Sequence, residues 1–386
     1  MNKKITLLLA SSLTVMSSAI VAPSLPEMAI YYKNQPNAIF LSKLTLSIPS
    51  LFIGLFGILM GVLAMKIGKL KILFAALLCY AIFGVSGYFI EDIYGILIGR
   101  AFLGIAVAGI MTTAVILTGD YFEGEERSHF LGIQNMFVAI GGVVFVVLGG
   151  VLADINWRLP FIIYLFSLLI LVLGLFSLKE PKSIDAYQDK ANTSSENYPK
   201  YIVAIILLTV FITMIVFYMV PVQIPFLLKE IAIDSSKLIG LTISCFMLGN
   251  AIIASLYAKV KRKFSYNHIF SIGFAIFSIG FITISYVNSY YLILCCLFFS
   301  GLGGGLLIPN SILWLLSIVS EKKRGITMGL LTTAMFLGQF TSPILVQPII
   351  DYGGLRITFT IVGFFTLIVS VLYLISPNKK GIQFIK

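Results

Sequence analysis

Side chains able to carry a charge or attack a substrate are scarce in this chain. Its 386 residues hold 27 Lys and Arg, 16 Asp and Glu, 2 His and 4 Cys. Arg100 stands apart, because it lies well inside an apolar run, IYGILIGRAFLGIAVAG. An arginine at such a depth costs about 2.5–3.5 kcal/mol on insertion scales and needs compensation, part of which snorkelling can supply. Two compensations are open. The guanidinium could face a cavity, binding an anionic substrate group or biasing a protonation site, or it could anchor neighbouring helices through their carbonyls. Carboxylates, whose protonation burial can tune, all fall at the ends of apolar runs or between them. Glu27 is the nearest to a span interior, while Asp120, Asp154 and Asp351 lie at edges. His129 and His268 occupy polar borders as well. Cys79, Cys245, Cys295 and Cys296 sit inside apolar runs without metal-type spacing, as small buried apolar groups do. The run Gly301-Leu-Gly303-Gly304-Gly305 has no strand before it and is no phosphate cradle. No nucleophile–base–acid set and no metal site emerges, so neither an enzyme nor a cofactor is expected.

The elements that position these residues follow from hydropathy. The chain is 59% hydrophobic and 11% charged, against roughly 25% charged in a soluble protein. A water-soluble globule with so little charge could not cover its own surface. Apolar runs near 5–25, 44–65, 70–90, 93–118, 130–153 and 159–178 are followed by others near 201–228, 238–258, 268–287, 290–319, 325–350 and 357–376. Each is about the length that crosses a bilayer as a helix. The sequence therefore predicts an all-α polytopic membrane protein of twelve spans, the first retained rather than cleaved as a signal peptide.

The net charge of +11 would suggest nucleic-acid binding in a soluble protein. Here position decides. With the N-terminus inside, 20 basic residues fall in cytoplasmic segments and 6, Lys43 among them, in outside segments, with Arg100 left in a span. That asymmetry orients both termini to the cytoplasm and accounts for the charge without nucleic acid.

Residues 179–200 form a polar linker between an N-terminal half, 1–178, and a C-terminal half, 201–386. The halves are related. At an offset of 197, Gly104 matches Gly301, Arg127 matches Arg324, Gly132 matches Gly329, Gly141 matches Gly338, and Asp154 matches Asp351. A parallel duplication of six-helix halves is a layout of secondary transporters, whose substrate sites lie between the repeats.

The chain resembles the major facilitator superfamily over nearly all its length. Gly61-Val-Leu-Ala-Met65-Lys66-Ile-Gly68-Lys69-Leu-Lys71 is similar to the family's loop signature between spans 2 and 3, with Met65 where an acidic residue is usual. Arg100-Ala-Phe-Leu-Gly104 resembles its span 4 element, with Leu103 in place of Gln. Gly149-Gly150 resembles the tail of the antiporter signature in span 5, and Trp157-Arg158-Leu-Pro160-Phe161 the entry to span 6. Length, short loops and Pro23/Pro26 are most similar to the twelve-helix drug/proton antiporter branch.

The resemblance implies that spans 1, 4, 7 and 10 line a central cavity, and it links Arg100 to proton coupling. On those spans Ser11, Thr14 and Ser18 form one stripe, Asn310 and Trp314 share a face, and Thr213 and Tyr218 lie loosely on one side. The expected substrate contacts are Arg100, Asn310, Trp314, Tyr218, Thr14 and Ser18, with Arg100 and Glu27 in proton coupling. Gly61, Lys66, Gly68 and Lys69 are the expected conformational-switch loop, weakened by Met65. GxxxG pairs such as Gly57/Gly61 and Gly301/Gly305 serve helix packing. These expectations describe a monomeric secondary transporter in a prokaryotic cytoplasmic membrane that exports a small amphipathic molecule in exchange for protons. The alternative cargo is an anionic metabolite, such as a carboxylate siderophore or an organic acid.

Overall fold

A computed structural model describes residues 3–181 and 199–376. The described residues form twelve helices, numbered here in span order. In the N-terminal half these are α1 (Lys3–Tyr31), α2 (Ala38–Ile67), α3 (Lys69–Phe89), α4 (Ile93–Tyr121), α5 (Gly124–Ile155) and α6 (Leu159–Ser177). In the C-terminal half, α7 (Lys200–Glu230), α8 (Ser236–Lys261), α9 (Tyr266–Tyr286) and α10 (Tyr290–Ile318) are followed by one helical stretch, Glu321–Ile375. Gly354, at φ 79° and ψ 171°, breaks that stretch into α11 (321–353) and α12 (355–375), a left-handed geometry that only glycine adopts without strain. Within the polar linker, residues 179–181 and 199 are not helical, Lys200 begins α7, and residues 182–198 lie outside the described residues.

Prolines shape the helices that meet between the halves. Pro23 and Pro26 interrupt α1, which passes through a 3-10 turn at Ala22–Ser24, as expected where a ring removes a donor and crowds the preceding turn. Pro49 lies within α2, Pro221 and Pro225 within α7, and Pro343 and Pro348 within α11.

Each half packs around its own apolar core. Leu13, Leu77, Leu103, Ile110 and Phe161 are fully buried in the first, Phe270, Phe274, Phe277, Phe281 and Phe359 in the second. Large apolar side chains also cover the exterior: Ile58, Phe89, Phe176, Ile279 and Phe299 are all exposed. In water that surface would be untenable; in a bilayer it is the solvent-matched face. The protein is a multi-pass membrane protein.

Most of the contact between the halves is made by two helix pairs, α2 with α11 and α5 with α8. We call the end carrying Lys3 and Ile375 the base, and the opposite end the rim. Where the antiporter-like Gly149-Gly150 pair lies, α5 approaches both α1 and α8. A Cβ on Gly149 would sit 2.0 Å from the Ile20 carbonyl oxygen, and one on Gly150 2.5 Å from that of Ser236.

Candidate functional site at the seam between the halves

The α2–α11 seam is antiparallel and in register. Lys43 Nζ donates to Gln347 Oε1 at 2.8 Å, and Ser50 Oγ donates to Gln339 Oε1 at 2.8 Å. One turn further toward the base, a Cβ on Gly54 would lie 3.4 Å from the Phe336 Cβ. The α5–α8 seam repeats the arrangement. Asp154 accepts from Ser235 Oγ at 2.9 Å and from the Lys237 amide at 3.2 Å, and Ser244 Oγ donates to the Val143 carbonyl at 3.2 Å. Between α1 and α7, Lys229 Nζ lies 2.6 Å from Glu27 Oε1 and 2.9 Å from Asp234 Oδ1.

These bonds hold the rim and midplane together. Toward the base the helices part. Gly57 continues the Gly54 face of α2, and Gly329 and Gly325 continue the Phe336 face of α11; a Cβ on any of the three meets nothing within 4 Å. The structure is closed at the rim and open below.

Below Lys43, at the level of Tyr218 and Gln339, the seam is lined by neutral polar and apolar groups. The Tyr218 hydroxyl crosses the halves to donate to the Leu46 carbonyl at 3.2 Å, with the hydroxyls of Ser18 and Ser50 beside it. Gln339 Nε2 points at Met214 Sδ, 3.7 Å away. Val15 and Met247 close on Gly142, and Phe217 stacks obliquely on Phe246 at 4.8 Å. Ser47, on the α2 stripe with Lys43 and Ser50, and Thr213 on α7 each carry a buried hydroxyl without a partner among the described residues. Buried hydroxyls left unpaired are costly, which marks a place where a ligand's polar group would be accommodated. Above the seam, at the rim, lies a cavity of about 810 Å3 bounded by Lys33, Phe40, Phe226, Ile344 and Asp351.

The structure brings Tyr218 and Ser18 to this seam and leaves most of the other expected contacts elsewhere. Arg100 is 1% exposed, inside the N-terminal half. Its Nε donates to the Thr45 carbonyl at 2.8 Å, its Nη1 to the Tyr164 hydroxyl at 2.6 Å, and its Nη2 to the Ser17 carbonyl. Tyr164 in turn donates to the same Ser17 carbonyl at 2.7 Å. The guanidinium thus ties α4 to α1, α2 and α6, which is the anchoring arrangement. Both bonded carbonyls lie in the rim half of helices that contain proline. Asn310 is fully buried within the C-terminal half, accepting from the Tyr257 hydroxyl at 3.0 Å and donating to the Tyr266 carbonyl at 2.9 Å. Trp314 stacks on Tyr266 at 5.6 Å. Thr14 donates back to the Ser11 carbonyl at 2.7 Å, and Ser11 takes a hydrogen bond from Gln134 of α5. Glu27 stands at the rim, in the ion pair with Lys229.

The loop between α2 and α3 finds acidic partners although Met65 supplies none. Gly68 turns the chain at φ 121° and ψ 139°. Lys69 Nζ pairs with Asp120 of α4 at 2.7 Å, while Glu180 takes the Lys69 and Leu70 amides at 2.6 and 2.9 Å and so caps α3. Gly61 and Lys66 continue α2 toward the parted base.

Lys43 requires a correction. Counting basic residues assigns it to an outside segment, yet it lies in the second turn of α2 and is 1% exposed, its ammonium over the Phe226 ring at 4.8 Å. Helix α2 begins at Ala38, well before the apolar run, because polar residues facing α11 are shielded from lipid. Neither Ser50 nor Gln339 nor Gln347 belongs to any motif, and Lys43 enters the sequence reading only as a loop charge. The legible signal was the spacing of Lys43, Ser47, Ser50 and Gly54, one helical face.

Twelve helices in two similar halves, meeting along paired seams with one end closed, define a polytopic helical transporter. The sequence profile of the Major Facilitator Superfamily matches residues 7–230 and 206–384, and the chain belongs to that superfamily. Among its relatives are the tetracycline resistance protein, class H, of Pasteurella multocida, 26% identical over 199 residues (51% of this chain, 49% of the relative). Another is the quinolone resistance protein NorB of Staphylococcus aureus, 29% identical over 176 residues (45% of this chain, 37% of the relative). The matched stretches thus span about half or less of the length of these relatives. The crystal structure of a D-xylose–proton symporter superposes with a TM-score of 0.80 at 16% identity, covering 98% of each chain, a likeness of fold.

Proposed function

We propose that this transporter exports a small amphipathic molecule across a prokaryotic cytoplasmic membrane by alternating access, as a monomer, in exchange for protons. The observation that carries the reading is the lining of the seam. Tyr218, Ser50 and Gln339 offer neutral hydrogen bonds amid Met214, Phe217 and Met247, just above the level where the halves part. Concave sites with an apolar wall and a few placed polar groups suit amphipathic ligands, and the likeness to two proteins named for tetracycline and quinolone resistance agrees with export. Basic residues concentrated at the base favour a cytoplasmic base and cytoplasmic termini. The anionic-metabolite alternative leaned on Arg100, whose donors are committed to Thr45, Tyr164 and Ser17.

For coupling we assign the proton to Glu27. Its carboxylate joins α1 to Lys229 of α7 across the rim, so protonating it removes one tie between the halves and favours rim opening. Everted vesicles given external ethidium test both parts. Collapsing the proton gradient abolishes uptake if the exchange reading holds, and uptake that persists unchanged refutes proton coupling. Glu27→Gln is expected to retain downhill ethidium flux while losing its response to the gradient.

A further inference from the structure

A cation and a carboxylate that would ordinarily pair are held apart at the rim end of the α2–α11 seam. Lys43 is 1% exposed, and among the described residues no carboxylate lies within ion-pair distance of it. Its Nζ donates to Gln347 Oε1 at 2.8 Å and rests over the Phe226 ring. One turn further along α11, Asp351 accepts from Gln347 Nε2 at 2.7 Å. A single neutral carboxamide thus turns its acceptor to the ammonium and its donor to the carboxylate. An ammonium has three donors to satisfy, and a buried charge without a counter-charge is costly. Gln347 and Phe226, the two groups against Lys43, are walls of the rim cavity of about 810 Å3, and so is Asp351.

The repeat gives Asp351 a counterpart with a structural task. At the offset of 197, Asp154 accepts from Ser235 Oγ and from the Lys237 amide, fastening the start of α8 against α5. The corresponding start of α2, at Ala38 and Phe40, is not fastened in this way. Asn37 precedes it at φ 58° without a side-chain cap, and Asp351 bonds to Gln347 and faces the cavity. The α5–α8 seam is sealed at the rim where the α2–α11 seam keeps a chamber.

We propose that this rim cavity binds an amphipathic zwitterion, whose carboxylate takes Lys43 and whose ammonium takes Asp351 while Gln347 swings aside. In an α-amino acid the two charged groups lie nearly as close together as the oxygen and nitrogen of the carboxamide they replace. Each supplies the counter-charge that a neutral amide lacks. The same arrangement selects against simpler ions, because an anion on Lys43 would stand beside Asp351, and a cation on Asp351 beside Lys43 and Lys33. Lys229, also in the wall, is already engaged by Glu27 and Asp234. Ile30, Phe40, Ile344 and Pro348 give the ligand's apolar part its surface. The site narrows the amphipathic cargo to zwitterions, a step that rests on the export reading.

The test uses 4-phenyl-phenylalanine as the zwitterion, its methyl ester as the cation, its N-acetyl derivative as the anion and the N-acetyl methyl ester as the neutral form. Calorimetric titration of the full chain in detergent at neutral pH is expected to give the zwitterion an affinity at least about tenfold above each of the other three. Lys43→Met is expected to bring the zwitterion down to the ester's affinity while leaving the ester's unchanged. Asp351→Asn brings it down to that of the N-acetyl derivative in the same way. Should Lys43→Met fail to fold, Gln347→Ala still decides. It removes the group that the ligand must displace, and is expected to tighten zwitterion binding at least about threefold. Equal affinity for all four compounds in the parent, or a Gln347→Ala variant that binds the zwitterion no more tightly than the parent, overturns the site. In everted vesicles the zwitterion is expected to compete with ethidium uptake at lower concentration than its ester, and the reverse order overturns the narrowing of the cargo. Parent vesicles without gradient-driven ethidium uptake refute the export reading and leave the calorimetry untouched.

Discussion

Replacing Arg100 separates anchoring from ligand binding. The guanidinium makes three hydrogen bonds, to Thr45, Tyr164 and Ser17, and is 1% exposed. Polar pairs inside membrane bundles average about 0.6 kcal/mol with a maximum near 1.7, and bonds to charged groups in soluble proteins reach about 1.5–3. Taking about 1–1.7 kcal/mol per bond, Arg100→Ala destabilises the N-terminal half by about 3–5 kcal/mol. For a unit of this size that corresponds to a fall of about 6 °C or more in apparent Tm. Arg100→Lys places one compact ammonium where three acceptors lie on three helices, and is expected to recover less than half of the loss. Thermal unfolding of purified protein in detergent, followed by size-exclusion fluorescence, reads both variants. The reasoning is refuted if Arg100→Ala unfolds within about 2 °C of the parent while transport of anionic substrates alone is lost. That result would make the arginine a substrate ligand held in place by other forces.

Three further outcomes follow from the same geometry. Gly68→Ala must force a Cβ into φ 121° and is expected to cost about 1–2 kcal/mol, visible as a lower Tm, whereas Gly57→Ala, which meets nothing within 4 Å, leaves the Tm unchanged and slows transport if the base must close. Asn310→Leu removes the partner of both Tyr257 and Tyr266; it is expected to lower stability by about 1–3 kcal/mol with the pattern of ethidium competition by other amphiphiles unaltered, and a changed pattern would restore Asn310 to the site. Gln339→Ala breaks the bond to Ser50 and is expected to alter which amphiphiles compete with ethidium while shifting Tm little, read by competition in everted vesicles.

Hydropathy and spacing are enough to specify the class of fold. Apolar runs of bilayer length can satisfy their backbone only as helices, and a repeat at constant offset relates the halves before any coordinate is known. The sequence also singled out Arg100, because a buried charge is conspicuous wherever it lies. It did not reveal what compensates that charge. The acceptors, Ser17, Thr45 and Tyr164, are spread over three other helices, two of them as main-chain carbonyls that any residue type would provide. Asn310 and Trp314 share a helical face, as their spacing required, but helical spacing fixes neighbours and not the direction of the shared face. Packing turned that face toward Tyr257 and Tyr266. The seam is the reverse case. Lys43 and Ser50 share a helical face with Ser47 and Gly54, but a single sequence does not show what that face meets, since the partners Gln347 and Gln339 lie about three hundred residues away. Local pattern therefore fixed the helices, their number and their duplication. Which polar groups meet between the halves is set by packing, because it depends on the register of helices brought together from opposite ends of the chain.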